Sequence, residues 1–163
     1  MRCGTSDRIK KSALISPARR EALRKLVNFI ITDKETKVKT LKITTNNEIL
    51  IVDVDLNDYK SIKKELGGYA ESVLTGVMHE YFKTSVLMLV DEEGLIKNLP
   101  INVVASHFYG YQIHGQVIAG DVIFAISLGE NMTGFGERDS EQWMDKMLRD
   151  FPVLRRSRSN DSK

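Results

Sequence analysis

The order of β-rich and helical segments between residues 48 and 128 constrains the fold most strongly. Runs rich in β-branched and aromatic residues alternate with amphipathic segments, in the order strand, helix, strand, strand, helix, strand. This order favours an α+β domain of the split βαβ type, with roughly four to five mostly antiparallel strands and helices on one face of the sheet. The predicted strands are 48–54, 69–77, 85–91 and 121–128. One predicted helix covers 58–66, with Asn57 as its cap, and a second is opened by residues 100–102 and contains Val103, Val104, Ala105 and Phe108.

A basic amphipathic helix is predicted to precede this core, over residues 16–32. Ser16 and Pro17 form a helix-start signal, with a hydroxyl at the N-cap and proline at the first helical position. Leu23 and Leu26 belong to one apolar stripe at helical spacing, which we expect to be buried.

Further elements flank the core on both sides. Asn46 and Asn47 tolerate positive φ and predict a tight hairpin between strands at 38–45 and 48–54. A glycine-rich loop is predicted over 129–138, followed by an amphipathic helix that begins at 139–141. Few charges interrupt the strands near the middle of the sheet, so the predicted core includes Leu87, Ile123 and Ala125.

Charge is distributed unevenly along the 163 residues, a length typical of one domain. Residues 1–42 carry twelve basic and four acidic side chains, residues 43–154 carry eight and seventeen, and residues 155–163 carry four and one. Basic arms therefore flank an acidic body. We predict a flexible basic N-terminus at 1–15, a single α+β domain at 16–154, and a disordered Arg/Ser-rich tail at 155–163.

Several classes of function lack their usual sequence patterns. A single cysteine, Cys3, can form neither an internal disulfide nor a thiolate metal site, which is typical of a reducing compartment such as the cytoplasm. No phosphate-binding loop, nucleophile elbow or metal-ligand spacing of histidines occurs, and no apolar run approaches the length of a membrane span. We therefore expect no catalytic residues, no metal, no cofactor and no membrane partner.

Four segments carry a resemblance to a known family. They are Gly67-Gly68-Tyr69-Ala70-Glu71, Asp91-Glu92-Glu93-Gly94, Leu99-Pro100-Ile101-Asn102 and Gly120-Asp121-Val122-Ile123. Their order and spacing over about residues 48–150 resemble a small domain family of unknown function found in bacteriophages and bacterial mobile elements. The resemblance implies that setting but no activity or cofactor. The segment 106–119 departs from it, because it is longer and more aromatic than the corresponding link in the family.

Candidate binding residues come from these segments and from the basic arm. The shared polar residues either shape turns, caps and strand starts or line a ligand site, and the polar members of such a site would be Tyr69, Glu71, Asp91 and Asn102. In the glycine-bounded loop, Tyr109 and Tyr111 either offer a contact surface or close the core. Phosphate contacts by the basic arm would use Arg19, Arg20, Arg24 and Lys25.

These features lead to three functional hypotheses. The first is a non-enzymatic phage or mobile-element accessory protein that acts by binding a host factor or defence component in the bacterial cytoplasm. The second is a nucleic-acid-binding protein that uses the basic arms without sequence preference. The third is a protein that sequesters a small ligand. Because the charge is so asymmetric, the arms can also dock on a neighbouring copy, which makes a homo-oligomer possible.

Overall fold

The computed structural model describes residues 16–32 and 37–158 and confirms the α+β class. The predicted flexible segment at 1–15 and the last residues of the tail, 159–163, lie outside the described residues. In the described part the helices are α1 (Pro17–Thr32), α2 (Tyr59–Leu66), α3 (Gly76–Phe82), α4 (Val103–Tyr109), α5 (Tyr111–His114) and α6 (Glu137–Asp150). The strands are β1 (Lys37–Ile43), β2 (Glu48–Asp55), β3 (Ala70–Val73), β4 (Val86–Asp91), β5 (Val122–Leu128), β6 (Asn131–Thr133) and β7 (Arg155–Arg156).

The chain divides into two compact units, residues 1–35 and 36–163, so the predicted domain at 16–154 spans both. The first unit contains α1, whose start at Pro17 and end at Thr32 agree with the predicted helix. Ser16 Oγ accepts a hydrogen bond from the backbone N–H of Arg19 at 3.3 Å, as an N-cap does. Leu23 and Leu26 are exposed, so the expected burial of the apolar stripe is wrong for these two side chains. None of the described helices is long and apolar enough to cross a lipid bilayer.

The second unit is built on one sheet with the strand order β3-β4-β5-β1-β2-β7, and β6 pairs with β5. All the strand pairs are antiparallel except β2 with β7, which confirms the mostly antiparallel sheet. The order differs from a split βαβ arrangement, because β5 and β1 lie between β4 and β2. The β1–β2 hairpin closes over a turn at Asn47, whose φ is 61°, and joins the sheet as a local unit beside β5.

Helices cover both faces of the sheet, whereas the sequence predicted helices on one face. Strands β4 and β5 are apolar at successive positions, so both faces must be covered. Helices α3, α4 and α6 pack on the face that includes Met88 and Phe124. Helix α2 packs on the opposite face through Ile62, against residues that include Ile123 and Ala125. Ile123 and Ala125 are fully buried, which confirms these two predicted core positions, whereas Leu87 is only partly buried and packs against the cluster.

Two element boundaries differ from the predicted ones, and side-chain hydrogen bonds at helix caps explain the difference. The N-cap of α2 is Asp58 and not Asn57, because Asp58 Oδ1 accepts from the backbone N–H of Lys60 at 3.2 Å. Asn57 instead bonds the backbone of β6, with Nδ2 donating to the Met132 carbonyl at 3.2 Å. The strand predicted at 69–77 ends at Val73, since the next residues enter α3 behind its N-cap Thr75.

Segments predicted as loop or tail contain further elements. Helix α5 and strand β6 lie within the predicted loops, and α6 begins at Glu137, two residues before the predicted start. Arg155 and Arg156, which were placed in the disordered tail, pair in parallel with the start of β2. The backbone N–H of Ser157 also donates to the Ile49 carbonyl at 3.0 Å. Backbone pairing with a strand more than a hundred residues earlier in the chain is not visible in a local Arg/Ser composition.

Candidate functional site

The candidate site is built around α4 and α5, and Asn102 fixes this region to the sheet. Its side chain is fully buried, and Oδ1 caps α4 by accepting from the backbone N–H of Ala105 at 3.1 Å. Nδ2 donates to the carbonyls of Ile43 and Gly120, each at 3.1 Å. Asn102 therefore joins the helix start to the end of β1 and to the approach to β5, and it belongs to the scaffold.

A second clamp holds α4 against the segment that leads into β5. Ser106 Oγ donates to the Asn102 carbonyl at 2.7 Å and accepts from the backbone N–H of Ile118 at 2.9 Å. An antiparallel bridge between Ile101 and Ala119 continues the same contact. These bonds fix the inner face of α4, so its outer face is presented to solvent.

An apolar groove of about 490 Å³ runs along this outer face, between α4, α5 and the residues after α6. Four of its lining residues are exposed apolar or aromatic side chains: Ile101 at 51%, Val103 at 54%, Tyr111 at 49% and Val153 at 45%. His107 lies along the wall, with its ring centroid 5.4 Å from that of Phe151. We call this set of residues the apolar groove. The apolar lining of the groove suits a ligand that presents an apolar surface of its own.

A second depression, the acidic cleft, lies next to the groove and has a volume of about 480 Å³. Val117 lines both, so the two depressions share a wall residue. The polar side chains of the cleft are Glu71, Asp91, Glu92, Tyr109 and Gln116. Within residues 16–32 and 37–158, the carboxylates of Glu71 and Glu92 have no ion-pair or hydrogen-bond partner. Two exposed, unpaired carboxylates therefore line the cleft that shares Val117 with the apolar groove.

The third carboxylate of the cleft, Asp91, already has partners inside the fold. Its side chain is 1% exposed, and Lys97 Nζ donates to Oδ2 at 3.0 Å. The backbone N–H of Glu93 donates to Oδ1 at 3.0 Å, which closes the turn after β4. The hydrogen bond with Asp91 raises the pKa of Lys97. Gly68 packs so closely on this carboxylate that an added Cβ would overlap it. We call these residues the Asp91 turn.

The structure separates the six predicted ligand or partner residues. Glu71, Asp91 and Tyr109 line the acidic cleft, although Asp91 is paired with Lys97. Tyr69 is exposed and lies elsewhere, beneath Lys63 Nζ at 3.9 Å from the ring centroid. Asn102 is part of the scaffold and Tyr111 lines the groove.

The two tyrosines of the loop are in different environments. Tyr111 offers a contact surface in the apolar groove. Tyr109 packs partly against the core, and its hydroxyl donates to Gln116 Oε1 at 3.3 Å. Tyr109 therefore fits the interpretation as a core-closing ring, whereas a contact role for Tyr111 stays a prediction.

The sequence reasoning missed the apolar residues that form the groove. The sequence predicts that Val103, Val104 and Phe108 belong to one helix but does not distinguish their faces; Val103 is exposed to solvent, whereas the other two are buried. The helical period carried a signal, since Val104 and Phe108 are four positions apart whereas Val103 is one position off that stripe. Val153 follows α6 and becomes part of the groove only through tertiary contact.

The predicted phosphate-binding residues all lie on α1, in the first unit. They are Arg19, Arg20, Arg24 and Lys25, and the side chains of all four are exposed. They are not part of the groove or the cleft as defined by the residues of the second unit.

Another titratable cluster joins α3 to α6 outside the groove. The Tyr81 hydroxyl donates to Asp150 Oδ2 at 2.8 Å, and Lys146 also bonds this carboxylate. Burial, followed by the bond to Asp150, raises the pKa of Tyr81, while Lys146 lowers the pKa of Asp150. The cluster is an internal tie between two helices. Across the described ranges, no group of three or more His, Cys, Asp or Glu side chains is placed to hold a metal ion.

Comparison with known protein families gives a match over most of the chain. Residues 29–148 match the model of a family described as Domain of unknown function (DUF3846). No curated protein and no solved structure matches the chain. The matched range covers most of the sheet, the Asp91 turn and α4, and it starts before the core expected at 48–150, so it also includes β1.

Proposed function

We propose that this chain, which belongs to the DUF3846 family of domains of unknown function, is a non-enzymatic binding protein that docks a protein partner in the apolar groove. The observation that carries the proposal is the exposure of four apolar or aromatic side chains on one concave surface. Each square ångström of apolar surface removed from water stabilises a complex by about 25 cal/mol, before the costs of association. A partner that covers the groove gains this contribution.

The residues of the groove are also suited to protein recognition. Exposed aromatic and aliphatic anchors in a concave surface are typical of binding hot spots, and tyrosine adds contact area at low entropic cost. Tyr111 supplies such an anchor, and Val103 and Val153 line the same groove. A binding role is favoured over a catalytic one because Asp91 and Asn102, two polar residues of the motifs, already spend their hydrogen bonds on the scaffold.

The setting of the proposal comes from the resemblance of four sequence segments to a family of bacteriophages and bacterial mobile elements. In that setting the partner is a host protein or a component of host defence in the bacterial cytoplasm. The affinity of the proposed complex depends on the groove and not on the source of the partner. The test is therefore designed around the groove.

The test is affinity capture from a bacterial lysate with the full chain and two variants. Val103→Ser combined with Tyr111→Ala removes the apolar anchors, and Leu128→Ser is the matched control because Leu128 is also exposed but lines a different pocket. We expect a protein that is retained by the wild type and the control but lost from the groove variant. If every captured protein is retained equally by the groove variant, the proposal is wrong.

Nucleic-acid binding through α1 is a second candidate, favoured by the exposure of its four basic side chains. Clustered Lys and Arg supply the phosphate part of nucleic-acid affinity, whereas reading a sequence requires side chains presented to base edges. Binding of this kind would be weak, salt-sensitive and indifferent to sequence. Its test concerns α1 alone and is independent of the groove.

A further inference from the structure

We infer that the partner segment docked in the apolar groove carries a lysine or arginine beside its apolar side chains, and that this cation enters the acidic cleft. The inference rests on the proposed function, because it assigns the chemistry of the partner that the groove binds. The distinguishing observation is that an apolar surface and an unpaired acidic surface meet at one residue, Val117.

A ligand long enough to extend along the groove past Val117 meets both surfaces. Val117 lines the groove on one side and the cleft on the other, and Gln112 and Gln116 lie on the respective sides within the same short stretch of chain. A segment that covers Tyr111 and passes Val117 is therefore placed beside the cleft. A charged side chain of such a segment is therefore either attracted or repelled by the charge of the cleft.

The charge of the cleft is negative and not compensated within the described residues. Asp91 is neutralised by Lys97, which leaves Glu71 and Glu92 as the exposed carboxylates without a partner. The surrounding chain adds to this field, because residues 43–154 carry eight basic and seventeen acidic side chains. A cationic side chain is attracted to this site, and an acidic side chain would be repelled, so the cleft selects among apolar segments by charge.

Two synthetic probes separate apolar docking from charge selection. One is a fluorescein-labelled amphipathic peptide of leucine and lysine, and the other is a leucine–glutamate peptide of the same length and pattern. Fluorescence anisotropy with the full chain measures the dissociation constant of each at physiological salt. We expect the lysine peptide to bind at least about tenfold more tightly, which corresponds to about 1.4 kcal/mol.

Three variants assign the preference to the cleft. Glu71→Gln combined with Glu92→Gln should remove most of the preference for the lysine peptide. The matched control is Glu130→Gln combined with Glu137→Gln, which removes the same charge from exposed positions elsewhere and should retain the preference. The groove variant Val103→Ser with Tyr111→Ala should weaken the binding of both peptides.

The outcomes separate the inference from the function on which it rests. If the groove variant weakens both peptides but the cleft variant leaves their ratio unchanged, the inference is wrong and the proposed function stands. If the control charges matter as much as Glu71 and Glu92, the preference reflects net charge and the inference is overturned. If the groove variant binds both peptides as the wild type does, the proposed function fails. Sedimentation of the protein alone is the last measurement, because a dimer that Tyr111→Ala dissociates would assign the groove to a second copy.

Discussion

The Asp91 turn and the apolar groove both lie against the segment that leads into β5, but their side chains differ in burial. The central carboxylate of the turn is buried and paired, whereas apolar side chains of the groove are exposed. In the turn, a buried carboxylate has a cation and a backbone N–H within hydrogen-bond distance, and Gly68 leaves no room for a larger residue. In the groove, Val103 and Tyr111 keep about half of their surface in water. The Asp91 carboxylate has its hydrogen-bond partners within the fold. The exposed side chains of the groove are removed from water only when a ligand covers them.

This difference indicates that the stability of the fold constrains the residues of the turn but not those of the groove. A buried polar group needs a partner, so the residues around Asp91 and Asn102 are constrained by stability. Every buried side-chain nitrogen and oxygen in the described residues has such a partner. An exposed apolar side chain satisfies no requirement of the fold, and its replacement usually changes stability little. The four predictions below test this contrast, from the largest expected effect to the smallest.

Asn102→Ala should destabilise the protein most, by about 3–5 kcal/mol, because it removes a helix cap and the two buried hydrogen bonds that Nδ2 donates to backbone carbonyls. Urea denaturation measures the free energy of unfolding. The neighbouring groove substitution Val103→Ser is the control and should change that free energy by less than about 0.5 kcal/mol. Equal losses in the two variants would show that the groove is as much a part of the scaffold as the clamp.

Ile123→Ala should lower the free energy of unfolding by roughly 2–5 kcal/mol, the range for a large-to-small change in a packed core. Ile123 is fully buried on the face that α2 covers, and this substitution therefore tests the second face of the sheet. Ile113→Ala, at a position that is 81% exposed, is the matched control and should have little effect. A loss below about 1 kcal/mol for Ile123→Ala would contradict the placement of β5.

Gly68→Ala should cost about 1–3 kcal/mol, as is typical of inserting a methyl group into packed structure. The new Cβ would overlap the Asp91 carboxylate and push it away from Lys97. Gly76→Ala is a matched control, since a Cβ there would meet nothing within 4 Å. Chemical denaturation of the double variant Gly68→Ala/Asp91→Ala tests the mechanism: the Gly68→Ala step should cost less when Asp91 is already Ala. An unchanged cost would mean that the overlap is not the cause.

Substitution of the basic side chains of α1 should lower the affinity for nucleic acid and its salt dependence. If the helix contacts phosphate, each contact contributes roughly −0.9 to the slope of log affinity against log salt, so removing the cations should flatten that slope. The substitutions, each to Ala, are at Arg19, Arg20, Arg24 and Lys25. Binding to DNA duplexes of different sequence over a salt series is the measurement.

Two results would change the assignment of the basic helix. An intact protein that binds no duplex even at low salt would assign α1 to a protein contact. Tight binding to one sequence at physiological salt would place nucleic-acid recognition ahead of the groove as the function.

The sequence by itself determined the elements that carry a strong local signal. Ser16 and Pro17 set the start of α1, Asn47 adopts the positive φ of the hairpin, and Gly67, with a φ of 85°, ends α2. Asn102 was recognised as a cap before α4. Each signal acts within about four residues, over the range of one turn or cap.

The tertiary structure alone decided how these elements combine. Strand order, the burial of both sheet faces and the pairing of Arg155 with the start of β2 depend on which distant surfaces pack together. The groove also depends on tertiary packing, because Val103 and Val153 are fifty positions apart in the chain but line the same groove. A local pattern specifies which face of an element is apolar, but the partner that covers that face is chosen by the packing energy of the whole chain.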